Sequence, residues 1–425
     1  MTQTLVRQPI PAVVQQHAEE SAVLRQIRSV LVRAPHVRLR HLRRLDDRIA
    51  AHLDGLAVAG SYGTALCTAA LERTGAGEVF ALAVRVIDER DDRALDRLAA
   101  LAAALPDARR GLLSAFGWVS AAQLQGLVQS LLAAKDPQRR ALAIAACRLH
   151  RADPGEALVH ALDDDDPDMR AAAWRAAGEL GRSDLLDRAQ AALSDPDPTA
   201  AFEAAACACL LGDRRTALDA LEAMALAGKS PLQAPAREWL LLASDFQRAR
   251  DFVRALSKAA VPGLAHQRRV IAAFGLLGDV RFVPWLVERM EDDTLARIAG
   301  ESFTLLTGAD LAALDLERKP PEQVPGGPSD DPADDNIAMD PDDSLPWPDR
   351  ARVAHWWQQH AGEMPVDQRS FMGRPVSSEP VAQVLREGTQ RQRFVAARYA
   401  CLLAPGTRLF PVCAPAWRQQ RLLAA

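Results

Sequence analysis

Aromatic residues, lysine and long apolar runs are scarce in this chain. Aromatics make up 5% of its 425 positions. Ala and Leu dominate instead, which favours close-packed helices over a β-sandwich. No stretch approaches the roughly 20 apolar residues needed to span a bilayer. Met1 to Ile10 shows no apolar run behind a charged start, so no signal peptide is expected. The formal net charge of −4 implies no whole-chain attraction to nucleic acid or membrane. Very few of the 51 basic residues are Lys, and both codon bias and phosphate binding account for such an Arg bias.

Catalytic signatures are also missing. There is no G-x-S-x-G elbow, Walker loop, G-x-G-x-x-G or H-E-x-x-H. No catalytic, cofactor-binding or metal-ligating residue is therefore assigned, and no cofactor is expected. His355 and His360 lie five apart, a poor helical spacing for a shared metal, and no third ligand accompanies them. His150 and His160 flank a repeat break and read as surface residues. Cys67, Cys147, Cys207, Cys209, Cys401 and Cys413 are scattered. Most read as small hydrophobes, and Cys207-x-Cys209 points its thiols to different sides of a helix. A reducing cytoplasm is the expected location. The acidic run Asp163–Asp166 reads as capping and turn charge.

What the chain has is a repeat. Arg110, Arg140 and Arg170 are spaced by thirty residues, behind Pro106-Asp107, Asp136-Pro137 and Asp166-Pro167, and Asp197-Pro198 opens a fourth copy. Pro suits the first turn of a helix, and the preceding Asp can cap its orphan N–H groups. Met169, Ala172, Ala173, Ala176 and Leu180 recur at helical spacing before Gly181. Two helices per unit at this period mark an α-solenoid, whose pairs must stack to bury their apolar faces. The expected fold is all-α.

The motif at 166–181 resembles the HEAT repeat of the phycobilisome-lyase type. That resemblance implies Asp–Arg ladders between neighbouring repeats, matched here by Asp136 with Arg140 and Asp166 with Arg170, and an Arg-bearing helix lining a concave face. The copy at 198 departs, with Ala200 in place of Arg, which implies a break in the ladder. A further copy places Arg297 and Phe303 twenty-nine residues after Arg268 and Phe274. A second resemblance spans nearly the whole chain. QQHAEESAVL, RLDDRIAAHLDGLAVAG, LPWP…WW, GRP, EGTQRQRFVAA and APAWRQ together are similar to a bacterial family of HEAT-repeat proteins often encoded near type VI secretion genes and their effectors. That family has no established activity, so no catalytic residue carries over.

Composition suggests five regions: a disordered start at 1–12, an N-terminal helical cap at 13–60, a solenoid at 61–310, an acidic Pro/Asp-rich linker at 311–344, and a Trp-containing C-terminal module at 345–425. In the Arg-bearing helices, the position four after the Arg reads as solvent-facing. It holds Ser114, Ile144, Trp174, Ala204 and Glu301. Trp174, beside Arg175, is either a binding hot spot or a packed Trp filling space between small Ala neighbours. Arg38, Arg40, Arg43, Arg44 and Arg48 crowd one helix. They suit an anionic partner, or a solvated face paired locally with Asp46 and Asp47.

The function expected from all this is a non-enzymatic scaffold or adaptor that binds a protein, with a secretion effector as the partner the resemblance implies. A bilin-lyase-like enzyme, by fold analogy, and a nucleic-acid-binding array are the alternatives. The oligomeric state stays open.

Overall fold

The computed structural model describes residues 9–227, 230–259, 263–322, 333 and 339–424. Residues 1–8 of the expected disordered start, and 323–332 and 334–338 of the expected linker, lie outside the described residues. The fold is an all-α, HEAT-like α-solenoid. Among the described residues the only strands form one two-residue hairpin, Ser370–Phe371 against Arg374–Pro375. The chain divides into two compact units, residues 1–211 with 406–425, and residues 212–405.

The first unit opens with α1 (Pro11–Leu31), α2 (Leu39–Val58), α3 (Ser61–Ala69) and α4 (Ala76–Glu89). Pro11 starts α1, so the first helix begins inside the segment expected to be disordered. Next come α5 (Asp92–Ala104), α6 (Pro106–Trp118), α7 (Leu127–Leu132), α8 (Pro137–His150), α9 (Glu156–Ala161), α10 (Pro167–Leu180), α11 (Leu186–Ala191) and α12 (Pro198–Leu211). Helices α4, α6, α8, α10 and α12 pack in series, each on the next, with the intervening short helices on their flank. Pro sits in the first turn of α6, α8 and α10, and the side chains of Asp136 and Asp166 cap α8 and α10. Small side chains let the stack close. In α12 every residue from Ala204 to Leu211 is buried, leaving no solvent face.

The second unit holds α13 (Thr216–Leu226), α14 (Gln233–Ala243), α15 (Phe246–Lys258), α16 (Leu264–Leu277), α17 (Val283–Arg289), α18 (Asp293–Thr307), α19 (Arg350–His360), α20 (Ser378–Glu387) and α21 (Gln390–Leu403). Here α14, α16 and α18 form the series. The last helix, α22 (Ala416–Ala424), belongs to the first unit.

The region expected as one C-terminal module is therefore divided: 345–405 falls in the second unit and 406–424 in the first. The reason lies in the backbone. A helix ends with carbonyls that have no intrahelical partner, and a row of stacked repeats lines those carbonyls up. The tail supplies donors to them. In the first unit, the Gly406 N–H donates to the Leu210 carbonyl at the end of α12, and the Leu409 N–H to the Glu179 carbonyl at the end of α10. Arg418 donates to the Gly117 and Val119 carbonyls at the end of α6, both at 2.9 Å. Gly181, the αL residue after α10 at φ 72°, faces the Gly406 carbonyl so closely that a Cβ there would collide with it. This contact adds a second demand for Gly beside the positive φ.

The second unit repeats the device. The Ser370 N–H donates to the Gly278 carbonyl after α16, and Met372 and Gly373 donate to Leu305 and Leu306 at the end of α18. Arg369 donates to the carbonyls of Leu242 and Ser244 at the end of α14, at 2.8 and 3.1 Å. Gly278 again sits at positive φ, where a Cβ would stand 2.5 Å from the Ser370 carbonyl.

The C-terminal end of the linker expectation also changes. Within residues 340–345, Asp342 is 5% exposed and Leu345 is buried, while Pro341, Asp343 and Ser344 are exposed.

Candidate protein-binding surface

The helix face assigned to partner contact does not form an open surface. Trp174 is 2% exposed and Ile144 1%, which corrects their placement toward solvent. Helix α10 is packed by α8, α9 and α12, so only Arg175 among its central residues is exposed. The neighbours Ala171, Ala173, Ala176 and Ala177 are buried too. They leave room that the indole fills, so packing is the role Trp174 has here. Its Nε1–H finds no hydrogen-bond partner among the described residues. Ala204 is fully buried. Ser114 is half-buried and accepts a hydrogen bond from Arg25 of α1. In the second unit, Glu301 is half-buried and holds Arg391 of α21 through both carboxylate oxygens, at 2.8 and 2.9 Å.

The Arg–Asp ladder exists with different acceptors. Asp136 and Asp166 are occupied by the N–H groups of Gln138 and Asp168, both at 3.0 Å. Arg140 instead reaches Asp164 at 2.9 Å, and Arg170 grips Asp195 through two nitrogens at 2.8 and 2.9 Å. Each acceptor is the first Asp of an Asp-x-Asp turn. Its other role is to accept the N–H of the second Asp, as Asp164 does from Asp166 and Asp195 from Asp197. Arg170 also donates to the Asp164 and Asp165 carbonyls at 2.9 and 3.1 Å, so one guanidinium ties two successive turns together. The Arg170 hydrogen bonds hold the Asp195 carboxyl below the usual carboxylate range. Arg110 takes no part; it makes an exposed pair with Asp107 on its own helix. At the next register position stands the buried Ala200.

Arg175 reaches from the surface into a charge cluster around the buried Glu179 that the sequence reading missed. Glu179, on the last turn of α10, accepts from Arg148 at 3.0 Å, Arg151 at 2.7 Å and Arg175 at 3.1 Å. Burial alone would push its carboxyl up, but the guanidiniums of Arg148, Arg151 and Arg175 outweigh it and hold it down at about 2. Arg151 also donates to the Leu409 carbonyl at 2.7 Å, so the cluster seats the returning tail. Farther along, fully buried Asp46 takes Arg28 at 2.6 Å and the Ala416 N–H at 2.7 Å. Arg28 donates in turn to the Cys413 and Ala414 carbonyls at 3.2 and 3.1 Å.

A surface in the first unit with unbalanced charge is the outer side of α2. Leu39, Leu42, Leu45, Ile49, Leu53 and Leu56 face the core, so helical periodicity sends the arginines outward. Arg40 and Arg44 are exposed, and neither has a carboxylate partner among the described residues. Arg43 is shared between Asp47 at 2.7 Å and Gln420 of α22 at 2.9 Å. Arg48 stands 3.9 Å from Glu20. His41 reports the crowding: desolvation first, then Arg40, Arg44, His36 and Arg38, depress its basicity.

Sequence comparison adds a family likeness. Residues 155–241 match HEAT repeats. The matched stretch runs from α9 into α14 and includes the Arg170–Asp195 pair. HEAT repeats commonly serve as protein-binding scaffolds. No curated protein matches the chain. No helix among the described residues is long and apolar enough to cross a membrane, and none of their His, Cys, Asp and Glu side chains gather in a group of three or more able to hold a metal ion.

Proposed function

We propose that the chain is a non-enzymatic scaffold that holds an acidic protein partner against the outer side of α2. The observation that carries this reading is the crowd of cations on that helix, in which the exposed Arg40 and Arg44 lack carboxylate partners among the described residues. Guanidiniums left in this state suit carboxylates of another chain, because their fork geometry pairs with carboxylate in two-point contact. A charged rim of this kind raises the association rate and sets specificity more than it deepens affinity. The repeats supply the rigid support, since solenoids present extended surfaces by construction. A type VI secretion effector is the class of partner that the family resemblance suggests.

The test is affinity capture from the native host followed by mass spectrometry, comparing the wild-type chain with Arg40→Glu/Arg44→Glu after nuclease treatment. A protein retained by the wild type and lost by the folded variant supports the reading. Partners held equally by both chains overturn it. Capture that disappears with nuclease, together with salt-dependent binding to duplex DNA, moves the assignment to nucleic acid.

A further inference from the structure

In the first unit, Arg140 and Arg170 bind Asp-x-Asp turns that lie next to them in the repeat sequence. The second unit has the same pair of elements, but the turn comes from far along the chain. Asp340 accepts the Asp342 N–H at 2.9 Å, as Asp195 does from Asp197. Arg297 contacts Asp340 at 2.7 Å and donates to the Asp342 carbonyl at 3.1 Å. Arg268 grips both oxygens of the Asp342 carboxylate, one at 2.8 Å. Trp347 lies against the guanidinium of Arg297, whose central carbon is 4.5 Å from the ring centroid, and Arg318 approaches the same ring at 5.5 Å.

Two differences from the repeat turns matter. First, Asp342 lies 74 residues from Arg268 and 45 from Arg297, so recognition of the turn does not depend on chain continuity. Second, no repeat helix grows out of this turn; the chain goes on through turn and extended residues to Asp349 before α19 begins. The turn is therefore not a joint between two stacked helices. It is an acidic segment seated in a receptor made by Arg268, Arg297 and Trp347.

We propose that Arg268 and Arg297, backed by Trp347, form a receptor for Asp-x-Asp turns that the chain fills with its own Asp340–Asp342 and can fill with the same turn from an acidic segment of another protein. The receptor reads two carboxylates held by one backbone turn, so its ligand is an acidic peptide with that spacing. The chain's own turn acts as an intramolecular competitor, at an effective concentration on the order of mM. The proposal is independent of the role assigned to α2.

The experiment uses the 425-residue chain and a labelled synthetic peptide copying residues 336–344, which carries the turn without Trp347. In the Asp340→Asn/Asp342→Asn variant the resident turn loses its charge. Fluorescence anisotropy should then show saturable binding at least tenfold tighter than to the wild type, and adding Arg268→Gln should weaken it at least tenfold. Equal binding to wild type and variant, indifference to Arg268→Gln, or no binding to a variant with wild-type circular dichroism overturns the proposal. If the double variant loses its helical signal, hydrogen exchange decides on the wild-type chain. Excess peptide should speed exchange at residues 340–345, and an unchanged rate overturns the exchangeable receptor.

Discussion

Arg170 joins two turns at once: it grips Asp195 ahead of it through two nitrogens while donating to the Asp164 carbonyl behind it at 2.9 Å. The arrangement is half-buried, with side-chain exposures of 16% and 8% for Arg170 and Asp195. Removing one partner of such a pair leaves the other desolvated without compensation. Arg140→Ala with Arg170→Ala should therefore lower stability by about 1–3 kcal/mol. Arg110→Ala, which breaks only an exposed pair, should cost under about 0.5 kcal/mol. Urea midpoints at unchanged slope measure both, and equal small effects would reduce the ladder to surface charge.

Trp174→Ala should cost about 3–5 kcal/mol, as large-to-small changes in packed cores do. Trp174→Phe should cost far less than that, because the indole N–H it removes has no hydrogen-bond partner among the described residues to orphan. Thermal unfolding of the two variants separates packing from polar contributions. A Phe variant as damaged as the Ala variant would point to a bonded N–H.

Glu179 gives the first unit an acid limit. Its folded carboxyl is held down at about 2 from an ordinary 4.5. A depressed folded value contributes stability that is present above the unfolded value and is lost as pH falls toward the folded one. The window is therefore from about pH 5 down to about pH 2, and the contribution is on the order of 3 kcal/mol. Glu179→Gln should be less stable at neutral pH and should lose less further stability through that window. Denaturation midpoints followed between pH 7 and pH 2 report the difference. Parallel curves for both chains would show that the cluster does not govern acid unfolding.

Deleting residues 406–425 should expose the ends of α6, α8, α10 and α12. Hydrogen exchange should accelerate at those helix ends across the first unit, along with a loss of thermal stability. Exchange confined to the residues around α22 would mean that the tail rests on the stack without securing it.

Much of the fold was legible because repetition is a strong signal. Thirty-residue spacing of Arg110, Arg140 and Arg170, with Pro at the helix starts, led directly to stacked helix pairs. The ladder was legible in kind but not in partner. Asp136 and Asp166 stood in the right motif, yet N-capping already occupied them, and the acceptors were Asp164 and Asp195 of the following turns, two positions before the capping Asp166 and Asp197. The doublets Asp164/Asp166, Asp195/Asp197 and Asp340/Asp342 carried that signal. Trp174 was misplaced because α8, α9 and α12 together cover most of α10, leaving Arg175 as its exposed central residue, and a single-helix register does not show how many neighbours surround it. The tail was not legible at all. Its task is to meet carbonyls of the main chain, and main-chain acceptors leave no mark on side-chain composition.

The tail's course also bears on how the chain comes to be folded. In an ordinary repeat array each unit depends on its neighbours in sequence, so the first repeats can settle while later ones are still being made. Here Arg28 and Asp46 wait for Cys413, Ala414 and Ala416. Helices α1 and α2 are thus completed by a segment synthesised long after them, 385 residues after Arg28 in the case of Cys413. Closing so long a loop slows folding. Until that segment emerges the nascent chain carries an unfinished edge on α1 and α2, and a lesion at residues 413–416 would be felt there, at Arg28 and Asp46.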